Sequence, residues 1–305
     1  MSIESIGLIS PDIVKAHKLE KLEFIETLLL FKGSFTRKDL KKEFDTAPAV
    51  ATRDISSYKG LLAEHGLNPE SVYLDGSTKE YKFDPDTFKP LFSRSSERAF
   101  SFLRMISSRD SFGDNENISI EAPTRLVKTN FETITSVSRA IFNNEGIEIS
   151  YFSGQSGEGT RTLFPHAFFD GGHQWYIRAY CALRNEFRSF AISRISHCKN
   201  LALNATPKMN SRNDHQWNKI LNLELSAHPT LVSQPQVIEF QYGMIDGVKK
   251  ITCRASSAGY WLNFWGVDCS SDASLKDKRH QLWLKNPQAL YDVETSILAP
   301  GYKQA

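Results

Sequence analysis

The sequence predicts an α+β protein of several domains: helices closed by a β-hairpin, a helical linker, a small β-domain and an α/β C-terminal region. Three observations carry this reading. Apolar residues recur at helical spacing from Lys18 to Glu64. The period changes to two from Ile147 onward. A chain of 305 residues with 40% apolar content holds more than one core. The expected boundaries are 1–90, 91–142, 143–205 and 206–305.

Phe24, Ile25, Leu28, Leu29 and Phe31 make Lys18–Phe31 an amphipathic helix that Gly33 ends. Thr36 is placed to cap a short helix, Arg37–Phe44, with Leu40 and Phe44 on one face. Asp45-Thr46 forms a turn. Thr46 is expected to cap the next helix, with Pro48 in its first turn, where a missing N–H costs nothing. That helix runs to about Glu64, with Val50, Ile55, Leu61 and Leu62 turned inward, and His65-Gly66 stops it. Ser71–Leu74 and Glu80–Phe83 read as strands around Asp75-Gly76, a strong hairpin signal.

Leu91–Ile106 and Asn130–Phe142 read as linker helices around a polar loop, Asp110–Asn117. Short strands follow at Ile147–Tyr151, Thr162–Phe164, Gln174–Tyr180 and Arg188–Ile195, at a spacing that suggests a small barrel. After the polar stretch Asn204–Asp214, strands are expected at Val237–Tyr242 and Gln281–Leu284, with a helix at Ser256–Phe264. Trp261, Phe264 and Trp265 fall at helical spacing there, as core or interface residues.

Lys and Arg number 37 against 35 Asp and Glu, a formal charge of +2. That excludes a uniformly basic, histone-like DNA binder but permits local basic patches. No apolar run approaches the roughly 18 residues of a transmembrane helix. Met1–Ile13 lacks the basic-then-apolar order of a secretory signal. Cys181, Cys198, Cys253 and Cys269 form no CxxC pair, so free and mostly buried thiols in a cytoplasmic protein are expected, with no metal site and no cofactor.

A short helix, a tight turn, a second helix and a hairpin is the order of a winged helix-turn-helix. A helix fits the major groove, where outward polar side chains reach base edges. On the second helix Thr52, Arg53, Ser56 and Lys59 fall opposite the inward residues. Arg53 suits a bidentate pair with guanine, and the hydroxyls suit phosphates or bases. Lys79 at the hairpin tip suits the DNA backbone or the minor groove, and Arg37 is a further DNA-binding candidate. Residues 1–90 hold 13 basic and 15 acidic residues, but residues 32–59 hold 7 against 4, a modest local footprint. A helical interaction domain with a merely solvated basic face is the alternative.

From Ile147 to Ile195 run Ile149-Ser150-Tyr151, Leu163-Phe164-Pro165-His166, Gln174-Trp175-Tyr176-Ile177-Arg178-Ala179-Tyr180-Cys181, Glu186-Phe187-Arg188-Ser189-Phe190 and Ser193-Arg194-Ile195. This segment resembles a WYL domain, with Ile177 in place of the leucine that names the family. The order of winged helix, linker, WYL domain and C-terminal extension resembles the bacterial WYL-domain transcription regulators, most of all the autorepressors of BREX and CBASS phage-defence systems. The resemblance implies an Sm-like, SH3-type barrel that senses a nucleotide or nucleic-acid ligand. It further implies a homodimer on an inverted-repeat operator and a C-terminal extension that assists dimerisation.

Period-two spacing puts Tyr176, Arg178 and Tyr180 on one strand face and Trp175, Ile177 and Ala179 on the other. The second set is expected to pack the barrel. Arginines among aromatic rings suit phosphate pairing with base stacking. The family's pocket maps onto Tyr151, Ser153, His166, Tyr176, Arg188 and Arg194, with Arg178 added if its strand face turns that way. Arg178 has two other readings, a solvated strand residue or an ion-pair partner of Glu186. No Gly-rich phosphate loop, HExxH or GxSxG motif occurs, and no two of the eight histidines stand four apart, so an enzyme is not expected. The rival is a cytosolic adaptor that binds nucleotide or peptide through the barrel without touching DNA.

Overall fold

A computed structural model describes residues 16–92, 99–101, 103, 121, 123 and 125–303. The chain divides into two compact units, 1–123 and 124–305.

The first unit opens with α1, Ala16–Lys32. Gly33, at φ 83°, ends it by donating its N–H to the carbonyls of Leu28 and Leu29. A two-residue strand, β1 (Ser34–Phe35), precedes α2, Arg37–Phe44. Thr36 caps α2 as its sequence predicts: it accepts from the Asp39 N–H while the Asp39 carboxylate accepts from the Thr36 N–H. Asp45 turns the chain in the left-handed region at φ 45°. The third helix, α3, spans Pro48–Glu64.

The cap expected of Thr46 is not made. Ala47 is the N-cap residue and makes no side-chain bond, and the Thr46 hydroxyl is buried without a partner. The inward stripe of α3 also differs in phase. Ala51, Ile55, Tyr58 and Leu62 are buried, whereas Val50 and Leu61 are half-buried. Tyr58 explains the shift. Its ring is fully buried and its hydroxyl donates to Glu26 of α1 at 2.8 Å. The Glu26 carboxylate also accepts from the N–H groups of Leu91 and Phe92, at 2.6 and 3.2 Å. A buried carboxylate is tolerated only with such partners.

The hairpin forms from β2 (Val72–Leu74) and β3 (Tyr81–Phe83), and β1 adds a third strand in the order β1-β3-β2. The core joins Leu22, Ile25, Leu28 and Leu29 of α1 to Leu40, Ile55 and Leu62, and reaches Phe92. Leu91 and Phe92 are therefore packed in this unit. Of the expected linker helix Leu91–Ile106, residues 99–101 and 103 are helical. The loop Asp110–Asn117 lies outside the described residues.

The second unit starts with α4, Phe131–Asn143, capped by Asn130. Five antiparallel strands follow: β4 (Glu145–Ser153), β5 (Gly157–Asp170), β6 (Trp175–Cys181), β7 (Glu186–Ala191) and β8 (Ile195–Asn204). They pair in the order β7-β6-β5-β4-β8. Among the described residues the edge strands β7 and β8 do not pair, so the sheet is open where a closed barrel was expected. A bulge between Pro165 and Ala167 shifts the register of β5. One sheet face buries Ile147, Ile149, Leu163, Ile177 and Ala179 against Val137 and Ala140 of α4.

The C-terminal region contains α5 (His215–Asn218), β9 (Ile220–Ala227), α6 (Pro235–Gln241), β10 (Lys249–Arg254), α7 (Ala255–Phe264) and β11 (Leu282–Leu284). Its sheet order is β10-β9-β11. The expected helix Ser256–Phe264 and strand near Gln281–Leu284 correspond to α7 and β11. The expected strand Val237–Tyr242 is instead helix α6. Pro235 at the first helical position pre-sets the backbone for it. All four cysteines are free thiols, three of them buried. No helix among the described residues is long and apolar enough to cross a membrane.

Candidate functional site

In the first unit, α3 presents a polar ridge opposite its buried face. Thr52, Arg53 and Ser56 are exposed, and Lys59 is half-exposed. Both hydroxyls donate to carbonyls one turn back, Thr52 to Pro48 at 3.1 Å and Ser56 to Thr52 at 3.0 Å. Their lone pairs stay outward as acceptors. The Arg53 Nε reaches the Ala49 carbonyl at 3.4 Å, which leaves the rest of the guanidinium fork free of carboxylates among the described residues. Lys59 is less available, because it pairs with Glu70 at 3.2 Å.

Arg37, at the start of α2, is exposed and bonds the Tyr81 hydroxyl of the wing at 3.1 Å. Lys79 is exposed and lies in the left-handed region at φ 61°. Its N–H closes the hairpin on the Asp75 carbonyl. Asp75 is itself engaged: Lys82 and Ser77 bond its carboxylate and hold it well below the usual range. The six candidate DNA residues are therefore all on accessible surface of one domain.

The second set divides. Residues directly opposite in an antiparallel pair share a sheet face. Arg188 is opposite Ala179 and Phe190 is opposite Ile177, so Arg188 stands on the α4-facing side of the sheet. Arg178 is opposite Ser189, on the other side. The expectation that one pocket gathers Tyr151, Ser153, His166, Tyr176, Arg188 and Arg194, with Arg178 added if its face turns that way, is corrected by this register, which puts Arg188 and Tyr176 on opposite sides.

Tyr151 is buried, edge-on to Phe190 at 5.3 Å, and its hydroxyl accepts the Ala191 N–H. It is a core residue. Ser153 accepts from the N–H groups of Gln155 and Ser156, both at 3.2 Å, and so shapes the β4–β5 turn. Arg178 is 1% exposed and carries the largest correction. Its Nε and Nη2 lie 2.7 and 2.9 Å from the two oxygens of Asp214, and Nη1 pairs with Glu294 and with Ser189. Glu186, weighed as its partner, pairs with Arg188 instead, at 3.2 Å. His166 Nε2 also lies 3.0 Å from Asp214. Burial alone would raise the Asp214 pKa, but the bonds from His166 and Arg178, with the Arg178 charge, bring it down to about 2.

Tyr176 lies on the same side as Arg178. It stacks on Phe169 at 5.1 Å, meets Tyr260 at 4.5 Å and accepts from Gln174 Nε2 at 2.9 Å. Burial raises its phenol pKa, and the Arg194 charge pulls against that shift. Arg194 is exposed at the end of the short 3-10 turn Ile192–Arg194. Ser193 joins the group by donating to Gln174 Oε1 at 2.6 Å. Tyr176, Gln174 and Ser193 thus form a hydrogen-bonded cluster with the accessible Arg194 cation beside it. Arg188 is a second exposed arginine, on the edge strand β7 and on the opposite side of the sheet.

Trp175, expected in the barrel core, is 43% exposed, with the Arg125 guanidinium 5.7 Å from its ring. Sequence reasoning missed Asp214 and Glu294 altogether. Both sit in polar stretches with no motif, and only the fold brings them to Arg178.

Three domain families match this chain in order. The BrxR transcriptional regulator winged helix-turn-helix domain matches residues 17–108. The WYL domain matches 132–200, and the BrxR transcriptional regulator C-terminal dimerization domain matches 220–290. Among curated proteins, the DNA-binding transcriptional repressor CapW of Escherichia coli is 29% identical over 280 residues, 89% of this chain and 90% of that protein. CapW of Pseudomonas aeruginosa is 29% identical over 282 residues, 90% of each. CapW of Stenotrophomonas maltophilia is 26% identical over 270 residues, 85% of this chain and 87% of that protein.

Proposed function

We propose that this chain, a WYL-domain transcriptional regulator by its winged-helix, WYL and C-terminal domains, is a homodimeric DNA-binding repressor. The observation that carries the reading is the α3 ridge, where Thr52, Arg53 and Ser56 stand exposed on a helix whose other face is locked into a core. Two such helices on a two-fold dimer fit the half-sites of an inverted repeat. Arg53 reads a base edge in the major groove; Arg37, Lys59 and Lys79 hold phosphates. The relatives are named as DNA-binding repressors, which supports repression over activation.

The WYL domain supplies the control. An anionic effector, a nucleotide or a single-stranded nucleic-acid fragment, binds where Arg194 stands beside Tyr176. For release, it must bind the DNA-free form more tightly than the DNA-bound form. By family resemblance the regulated genes are those of the protein's own phage-defence operon. A gel-shift on the duplex upstream of its own gene tests the whole reading. Retention that is lost on adding a nucleotide or short single strand is expected. The adaptor reading predicts no retention at all.

A further inference from the structure

The second unit holds a cavity of about 330 Å³ that is lined by none of the effector residues named above. Its walls include the rings of Phe169 from β5, Trp217 from α5 and Trp261 from α7. Arg254, Thr252 and Cys253 of β10 complete the part that matters chemically. The guanidinium carbon of Arg254 lies 4.5 Å from the centre of the Trp217 ring, and Nη1 donates to the Trp217 carbonyl at 2.6 Å. One of its five N–H donors is thereby used.

Arg254 is held over an indole at the cavity wall without a counter-charge. Arg125, Arg178 and Arg188 of the same unit are paired with Asp170, Asp214 and Glu186. Among the described residues no carboxylate comes within ion-pair distance of Arg254. A half-buried guanidinium with spare donors, held over an indole, suits an anionic oxygen. The surrounding rings suit a flat aromatic group. The volume is at the small end for a ligand pocket and admits one ring system with its charged group, not a polymer. Cys253 adds no covalent chemistry, since burial pushes its thiol up to about 11 and keeps it protonated.

We propose that this cavity binds a small ligand made of a planar ring bearing an anionic group, with the ring against Trp217 and Trp261 and the anion on Arg254. Phe169 belongs to the WYL sheet and Arg254 to the C-terminal sheet, so the occupant touches both. The proposal does not depend on the effector site at Arg194.

Intrinsic tryptophan fluorescence of the full-length protein reads the cavity directly, because two indoles line it. Adenosine 5′-monophosphate and indole-3-acetate supply ring plus anion. Adenosine supplies the ring alone and inorganic phosphate the anion alone. Saturable quenching by at least one ring-plus-anion probe is expected, about tenfold or more tighter than by either half, the factor a single charged contact supplies. Arg254→Gln is expected to remove that preference and leave adenosine binding unchanged. Thr252→Trp fills the exposed rim while keeping the Arg254 side chain, and is expected to block the probe while leaving the melting temperature unchanged. The proposal is overturned if neither ring-plus-anion probe binds saturably, or if binding survives in both variants. It is equally overturned if binding is lost in Arg188→Ala or Arg194→Ala and kept in Arg254→Gln, because the probe then sits on the β6–β7 side of the WYL sheet.

Discussion

Arg53 on α3 and Arg178 on β6 are the same residue type, and each was a candidate to touch a nucleic acid. One stands on an exposed ridge with most of its donors free; the other is sealed between Asp214 and Glu294 at 1% exposure. The difference shows how location divides the work of a charged fork. An exposed guanidinium keeps its hydration and can exchange water for a base or phosphate. A buried one has already lost its water, and only its carboxylates make that tolerable. Arg53 is therefore free to recognise, whereas Arg178 holds β6 to the C-terminal segments.

This contrast predicts opposite phenotypes. Arg178→Ala leaves Asp214 buried without its main cation and is expected to destabilise the second unit by about 3–5 kcal/mol, read by chemical denaturation. A loss below about 1 kcal/mol would place Arg178 in the exposed class with Arg53. Asp214 sharpens the point through pH. Its pKa of about 2 lies below that of an unfolded aspartate, so it contributes stability that is complete above about pH 4 and is lost as pH falls toward 2. Unfolding midpoints measured from pH 5 to pH 2 are expected to fall in the native protein. In Asp214→Asn that acid-dependent fall is expected to flatten, from a lower starting stability.

On the recognition side the effects are smaller and concern binding alone. Arg188→Ala removes only a half-exposed pair with Glu186, which contributes about 0–1 kcal/mol. It is expected to fold like the native protein and to keep both operator affinity and effector-triggered release, because Arg188 faces away from Tyr176; Arg194→Ala, beside Tyr176, is expected to weaken that release. Lys79→Ala is expected to weaken DNA binding about equally on all sequences and to lower the salt slope by about one. A change in sequence preference on Lys79→Ala would mean that the wing reads bases.

The N-terminal domain was largely legible because its signals are local. The Thr36 cap, the end of α1 at Gly33 and the Asp75-Gly76 hairpin each rest on residues a few positions apart. Strand β1 escaped notice because two residues carry no periodicity. The phase of α3 was misread because Tyr58, a polar-looking residue, is drawn inward by Glu26, 32 positions away.

The candidate ligand site was less legible for the same reason on a larger scale. Sequence alternation correctly put Tyr176, Arg178 and Tyr180 on one strand face. Which face meets solvent depends on partners 36 and 116 positions distant from Arg178. The bulge after Pro165 and the pairing of Arg188 with Ala179 likewise exist only in the folded sheet. In the C-terminal region, Ile238 and Phe240 alternate with polar residues over a stretch too short to separate helix from strand, and Pro235 decided for α6.

Anisotropy titration of a labelled duplex from the protein's own upstream region, native against Arg53→Ala, tests the account most directly. The predicted result is a loss of about 1–3 kcal/mol in specific affinity with relaxed discrimination at one base pair and an unchanged unfolding midpoint. Equal affinity and equal sequence preference in the two proteins would contradict it.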